Sequence, residues 1–236
     1  MSPGVASSSG CLDRRLFHVK HSEPTDLPSW LEPVADQLRA YAHVLETDGV
    51  TMGLIGPREA PRLWSRHLLN CAVVVSPGTD LVGDSKSVAD VGSGAGLPGL
   101  VWAIARPDLT LTLVEPLLRR ATFLQTVVAG LGLDDRVAVR RGRAEVVCTD
   151  PTWSGVDVVT ARAVAPLERL LGWTVPLLKP GGRLVMLKGS NAEDEVEAAR
   201  GVATALGVAG LRVMLCGVGE VDPATTVVTG VRSTAQ

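Results

Sequence analysis

The run Asp90-Val91-Gly92-Ser93-Gly94-Ala95-Gly96-Leu97-Pro98-Gly99 follows an apolar segment and opens a helical one. Glycines let a backbone approach a ligand closely and take conformations barred to other residues. A helix start offers free N–H groups to an anion. Gly92, Gly94 and Gly96 are therefore candidate ligand contacts. Glu115 closes the next strand-like segment, where a carboxylate can accept hydrogen bonds from both ribose hydroxyls of an adenosyl ligand. The Gly94–Gly99 spacing also fits the dinucleotide fingerprint. S-adenosylmethionine and a nicotinamide dinucleotide share the ribose, so both stay open. A ligand-free tight turn would also satisfy the glycines, and a surface acid near a helix start would explain Glu115.

Three further groups fall where open α/β sheets bind ligands, beyond the carboxyl ends of strands. Arg143-Ala144-Glu145 follows the third strand-like segment and can reach an adenine ring through a backbone amide or the Glu145 side chain, though a plain surface loop fits as well. Arg162, between Ala161 and Ala163, can hold cofactor, substrate or a neighbouring acid, or form a structural ion pair. Lys188 lies on the same rim and is read either as a contact to RNA phosphate or base or as an exposed lysine. Arg162 and Lys188 are the candidates for positioning a substrate. Arg58, Arg62 and Arg66 recur every four residues, as on one face of a helix, with His67 beside Arg66. Arg119-Arg120 and Arg140-Arg141 form two more clusters that could bind phosphates. A solvated charged face accounts for any one of these arginines taken singly.

The elements that must carry these residues follow from hydrophobic period. Residues 1–28 are rich in Ser, Pro and Gly and are expected to form a disordered tail; His18 and His21 lie in it. Residues 29–78 read as a helical cap, with helices over 30–45 and 57–75. Asp48-Gly49 is expected to end the first, and Pro57 to start the second. Residues 79–236 read as the core. Strands are expected at 87–91, 109–115, 136–141, 156–160 and 183–188, alternating with helices at 98–106, 116–131, 166–178 and 192–206. Lys179-Pro180-Gly181-Gly182 reads as a turn, and 211–217 and 225–231 as a last strand pair with no helix between. The order predicts an α/β fold: a mainly parallel, doubly wound Rossmann-like sheet with an antiparallel C-terminal strand pair.

Composition bounds the function. The chain has 236 residues, 46% hydrophobic and only 3% aromatic, so Val, Leu and Ala must fill the core. A net charge of -2 excludes a bulk basic footprint for nucleic acid. Cys11, Cys71, Cys148 and Cys216 are scattered without metal-ligand spacing, so reduced thiols and no metal are expected. Cys71 falls on an apolar helix face and reads as a core residue. No apolar run spans a bilayer, and a cytoplasmic monomer is expected.

Asp90 beside the glycine loop, the Lys179-Pro180-Gly181-Gly182 turn and the terminal strand pair resemble features of class I methyltransferases. The resemblance becomes specific over Arg66-His67-Leu68-Leu69-Asn70, the Leu97-Pro98-Gly99 end of the glycine run, Glu115, Arg143-Ala144-Glu145, Ala161-Arg162-Ala163 and Leu187-Lys188-Gly189. Together these resemble the bacterial 16S rRNA guanine-N7 methyltransferase family, also called the glucose-inhibited division protein B family, over about residues 31–230. Ala161 stands where members often carry Ser, and the tail before Trp30 has no obvious counterpart. The resemblance implies S-adenosylmethionine as cofactor, with contacts at Gly92, Leu97, Ala144, Glu145 and Arg162. It also implies 16S rRNA of the small ribosomal subunit as substrate. Guanine N7 has a lone pair and no proton, so no general base is required, and positioning would supply the catalysis. A small-molecule methyltransferase, an NAD(P)-dependent oxidoreductase and a non-catalytic ribosome-binding module are the alternatives. The oxidoreductase lacks a recognisable Tyr/Lys or His set, since Tyr41 is the only tyrosine.

Overall fold

The computed structural model describes residues 27–234. The expected tail, with Cys11, His18 and His21, lies outside them except for Leu27 and Pro28. Leu27 is already buried in the core.

Seven strands form one sheet in the order β3-β2-β1-β4-β5-β7-β6. They are β1 (Ser87–Val91), β2 (Thr110–Glu115), β3 (Val137–Arg141), β4 (Val156–Arg162), β5 (Leu178–Lys188), β6 (Val208–Cys216) and β7 (Thr225–Arg232). The first five pair in parallel. β7 runs antiparallel between β5 and β6. Helices cover both faces, which is why Val, Leu and Ala dominate the central strands on both sides, interrupted by Asp, Thr and end residues such as Glu115 and Arg162.

Strand period two assigns side chains to the faces. Val88, Leu111, Leu113, Val158, Val185 and Leu187 enter one apolar layer. That layer also holds α1 (Ala35–Val44), α2 (Leu69–Ala72), α3 (Gly99–Ala105) and α4 (Leu118–Gly130). Ala89, Val91, Val159, Ala161, Leu184 and Met186 enter the other. It is closed by α5 (Ala144–Val147), α6 (Leu167–Thr174) and α7 (Ala192–Ala205). The same parity sends Asp90 and Arg162 toward the N-terminal helices and Lys188 toward α7. In α7 the spacing of Ala192, Val196, Ala199 and Ala203 buries one stripe.

The N-terminal helices differ from the expected pair. The first does not end at Asp48-Gly49: a π-helical turn over Leu45–Gly49 carries it to Thr51. The second is not one helix over 57–75. Residues 57–59 form a turn, followed by a 3₁₀ turn at Ala60–Arg62, a π turn at Trp64–Leu68, α2, and a 3₁₀ turn at Val73–Val75. Pro61 has no N–H to give to an i→i−4 ladder, so a regular helix cannot start upstream of it. Arg58, Arg62 and Arg66 therefore do not line one α-helical face, although all three are exposed.

Lys179-Pro180-Gly181-Gly182 is not a free turn but a bulge within β5. Register jumps there from Val156↔Leu178 to Val158↔Arg183. Gly181 takes φ +79°, which lets the extra residues loop out of the ladder.

Candidate active site

The glycine run leaves β1, turns, and feeds α3. Its glycines divide between two tasks. Gly96 has φ +100°, and a Cβ there would run into Leu100 and come within 2.8 Å of the Tyr41 hydroxyl. A Cβ on Gly99 would lie 2.6 Å from Leu113 and 2.7 Å from the Asp90 carboxylate. Gly96 is crowded by α3 and the N-terminal helix that carries Tyr41, and Gly99 by side chains of β1 and β2. Leu97 likewise packs onto the helical side of the core. None of Gly94, Gly96 and Leu97 lines the cavity at the carboxyl ends of the strands, so the structure does not bring these three predicted contacts to it.

Gly92, Ala144 and Glu145 do come together. They line a cavity of about 310 Å³ at the carboxyl ends of the parallel strands. Its apolar walls are Val91, Val114, Pro116, Val164 and Trp173. Glu115 lies between two wall residues and is 1% exposed. One carboxylate oxygen accepts the Gly94 N–H at 2.9 Å and the other the Leu117 N–H at 3.0 Å. An ionised carboxylate has about four lone-pair sites, so each oxygen retains capacity for a hydroxyl. The surface-acid reading of Glu115 is excluded by its burial.

A second cavity of about 910 Å³ adjoins the first, and Val164 lines both. Arg66, Asn70, Arg162, Lys188 and Glu195 contribute its polar wall. Arg162, placed by the sequence just past the fourth strand, is the last residue of β4. One amino group bonds His67 Nδ1 at 2.5 Å and the Arg66 carbonyl at 3.3 Å; the other donates to Cys71 Sγ at 3.4 Å. His67 Nε2 lies 3.1 Å from Glu59. The Arg162 contact needs a lone pair on Nδ1, which puts the proton on Nε2 and gives a neutral ring. Burial pushes the His67 pKa down, and the Arg162 charge adds to this. Cys71 is fully buried, as its apolar setting predicts, and burial pushes its thiol up.

The remaining candidates separate. Arg119, Arg120 and Arg141 are exposed. Arg140 is committed elsewhere: it pairs with Asp150 at 2.9 Å, bonds Thr152, and lies 6.0 Å over the Trp153 ring. Sequence reasoning missed Val164, Trp173 and Glu195. Val164 and Trp173 are apolar and carry no motif. Glu195 reads as one of several acids in the first turn of an amphipathic helix. Among the described residues no group of His, Cys, Asp or Glu could hold a metal ion, and no helix is long and apolar enough to cross a membrane.

The model of the rRNA small subunit methyltransferase G family matches residues 34–222. The chain belongs to this family. The ribosomal RNA small subunit methyltransferase G of Salinispora tropica is 56% identical over 194 residues, covering 80% of this chain and 78% of that protein. Its counterpart in Rhodococcus jostii is 50% identical over 224 residues, covering 90% and 95%. Among solved structures, the S-adenosylmethionine-dependent methyltransferase SibL superposes with a TM-score of 0.56 at 19% identity, over 86% of this chain and 70% of that one. That likeness shows the fold, a class I methyltransferase sheet. Membership in the family sets aside the oxidoreductase and the non-catalytic module.

Proposed function

We propose that this protein transfers the methyl group of S-adenosylmethionine to N7 of one guanine in 16S rRNA of the small ribosomal subunit. The observation that carries the reading is the pair of adjoining cavities, one walled for an adenosyl group and one large and cationic, meeting at Val164. The residues of the smaller cavity fit the cofactor. Glu115 is buried with lone pairs to spare for ribose hydroxyls, Val91, Val114 and Trp173 offer apolar walls to a flat ring, and Ala144 and Glu145 complete the lining. S-adenosylmethionine, when bound, supplies an electrophilic methyl group.

The chain supplies orientation. Guanine N7 needs no proton removed, so the site requires a grip on the base more than a catalytic base. Arg66, Arg162 and Lys188 in the larger cavity, Arg143 at the smaller one, and the exposed Arg58, Arg62, Arg119, Arg120 and Arg141 supply cations for the base and for phosphates. His67 serves by holding Arg162 rather than by touching RNA. Gly92 remains the loop contact, Gly94 holds the Glu115 carboxylate through its N–H, and Gly96, Leu97 and Arg140 act structurally. The protein is read as a cytoplasmic monomer that acts on the small subunit.

Methyl transfer from labelled S-adenosylmethionine to small subunits lacking the modification tests the proposal. Label on a single guanine N7 of 16S rRNA is the expected result. Cofactor binding without any label on RNA overturns it in favour of a small-molecule acceptor.

A further inference from the structure

Arginine is the commonest reader of guanine, donating to O6 and N7 together. An enzyme that alkylates N7 cannot use that grip, because it covers the reacting lone pair. The base must be held by its other edge, where O6 accepts and N1–H and the 2-amino group donate. The larger cavity contains one acceptor and one donor side by side that match this edge.

Lys188, the last residue of β5, has a side chain only 7% exposed. Its ammonium donates to the Ala165 carbonyl at 2.8 Å and to Glu195 Oε2 at 2.6 Å. An ammonium carries three donors, so one remains. Glu195 stands in the first turn of α7, and Oε2 also accepts the Leu167 N–H at 2.7 Å. Oε1 has no partner among the described residues, and Glu195 lines the cavity.

We propose that Lys188 and Glu195 together read the target guanine, the third ammonium N–H donating to O6 and Glu195 Oε1 accepting N1–H and the 2-amino group. The inference rests on the function proposed above and adds the specificity element to it. Adenine presents the reverse pattern, a donor at position 6 beside an acceptor at N1, so the same pair rejects it. With the base held this way, N7 is uncovered and lies on the side of O6 away from the reading pair. The clasp of Oε2 on Lys188 and Leu167 fixes both groups before the base arrives, and it also orders the 163–166 segment that carries Val164.

Small subunits reconstituted with guanosine or inosine at the target position test this. Inosine keeps O6, N1–H and N7 and lacks only the 2-amino group. The wild-type protein is expected to lose roughly tenfold in kcat/KM on inosine. In Glu195→Gln the amide oxygen can keep the bonds from Lys188 and Leu167, which turns an NH₂ donor toward the cavity. That variant is expected to lose roughly tenfold to a hundredfold on guanosine, to bind S-adenosylmethionine as wild type does, and to treat guanosine and inosine alike. Equal wild-type rates on the two bases overturn the proposal even if the variant fails to fold. A variant that keeps the wild-type preference also overturns it and leaves the pair a brace for the loop. Wild-type protein that binds cofactor yet labels neither base overturns the methyltransferase reading itself, and this proposal falls with it.

Discussion

Asp90 has no exposure to solvent, accepts the Gly99 N–H at 3.1 Å through Oδ2, and leaves Oδ1 buried without a partner. Burial pushes its carboxyl up to about 7, against the hydrogen bond from the Gly99 N–H. Its folded pKa is above the unfolded value of 3.8, so the native state holds the proton more tightly. This group's contribution to stability is therefore greatest at acid pH and declines as pH rises from about 4 to about 7, by something of the order of 4 kcal/mol. Asp90→Asn removes that decline. The stability of the variant relative to wild type, from denaturant melts at several pH values, should climb through this window and then level off. A constant difference would show that Asp90 does not titrate there. Asp90 and Glu115 were both legible in the sequence because each sits at the end of an apolar strand, Asp90 beside the glycine loop and Glu115 just before a helix start. The Lys188–Glu195 contact was not. They lie seven positions apart, and only the turn from β5 into α7 brings them together.

At the scale of elements, the alternation of strands and helices was readable because buried parallel strands leave a strong apolar signal. The exceptions have local causes. The break-up of 57–75 follows from Pro61, and the wide π turn at Trp64–Leu68, between two 3₁₀ turns, departs from the period that a 3.6-residue template detects. The Lys179-Pro180-Gly181-Gly182 bulge looked like a turn because its residues are turn formers, yet pairing on both sides keeps it within β5. Asp157 secures this end of the sheet. Its carboxylate accepts the Ser87 hydroxyl at 2.7 Å, the Ser87 and Lys86 N–H groups at 2.9 and 3.1 Å, and the Lys179 ammonium at 2.8 Å. Burial opposes ionisation, but these bonds outweigh it and hold the Asp157 carboxyl well below the usual range. Asp157→Ala should cost about 2–3 kcal/mol in chemical denaturation, because it strands a set of donors at the joint of β1, β4 and β5. A loss under roughly 0.5 kcal/mol would show that water replaces the carboxylate at no penalty.

At the scale of the molecule, the N-terminal helices and the sheet share one core. Leu31, Leu38, Tyr41, Leu45, Trp64 and Leu68 are buried in the same layer as Leu100, Trp102 and Ile104. Hydrogen bonds cross the boundary: Trp102 Nε1 donates to the Cys71 carbonyl at 2.9 Å, and Gln37 to the Leu131 carbonyl at 2.8 Å. A fragment of residues 79–236 would expose this face, and it is expected to aggregate or to lack a cooperative thermal transition by circular dichroism. A fragment melting cooperatively near the intact chain's temperature would show that the sheet stands alone. The sequence disclosed the helices but not this dependence, since an amphipathic stripe does not say what it will pack against.

The glycine loop is clamped from both sides. The Tyr41 hydroxyl donates to the Ala95 carbonyl at 2.9 Å from the helical side, and Glu115 takes the Gly94 N–H from the sheet side. Its shape is thus set during folding, when the entropy of ordering those residues is already lost. Ligand exchange at each turnover then begins from a rigid receptor. Affinity at this loop reflects contacts made rather than chain order acquired, and spent cofactor can leave without the loop unravelling behind it.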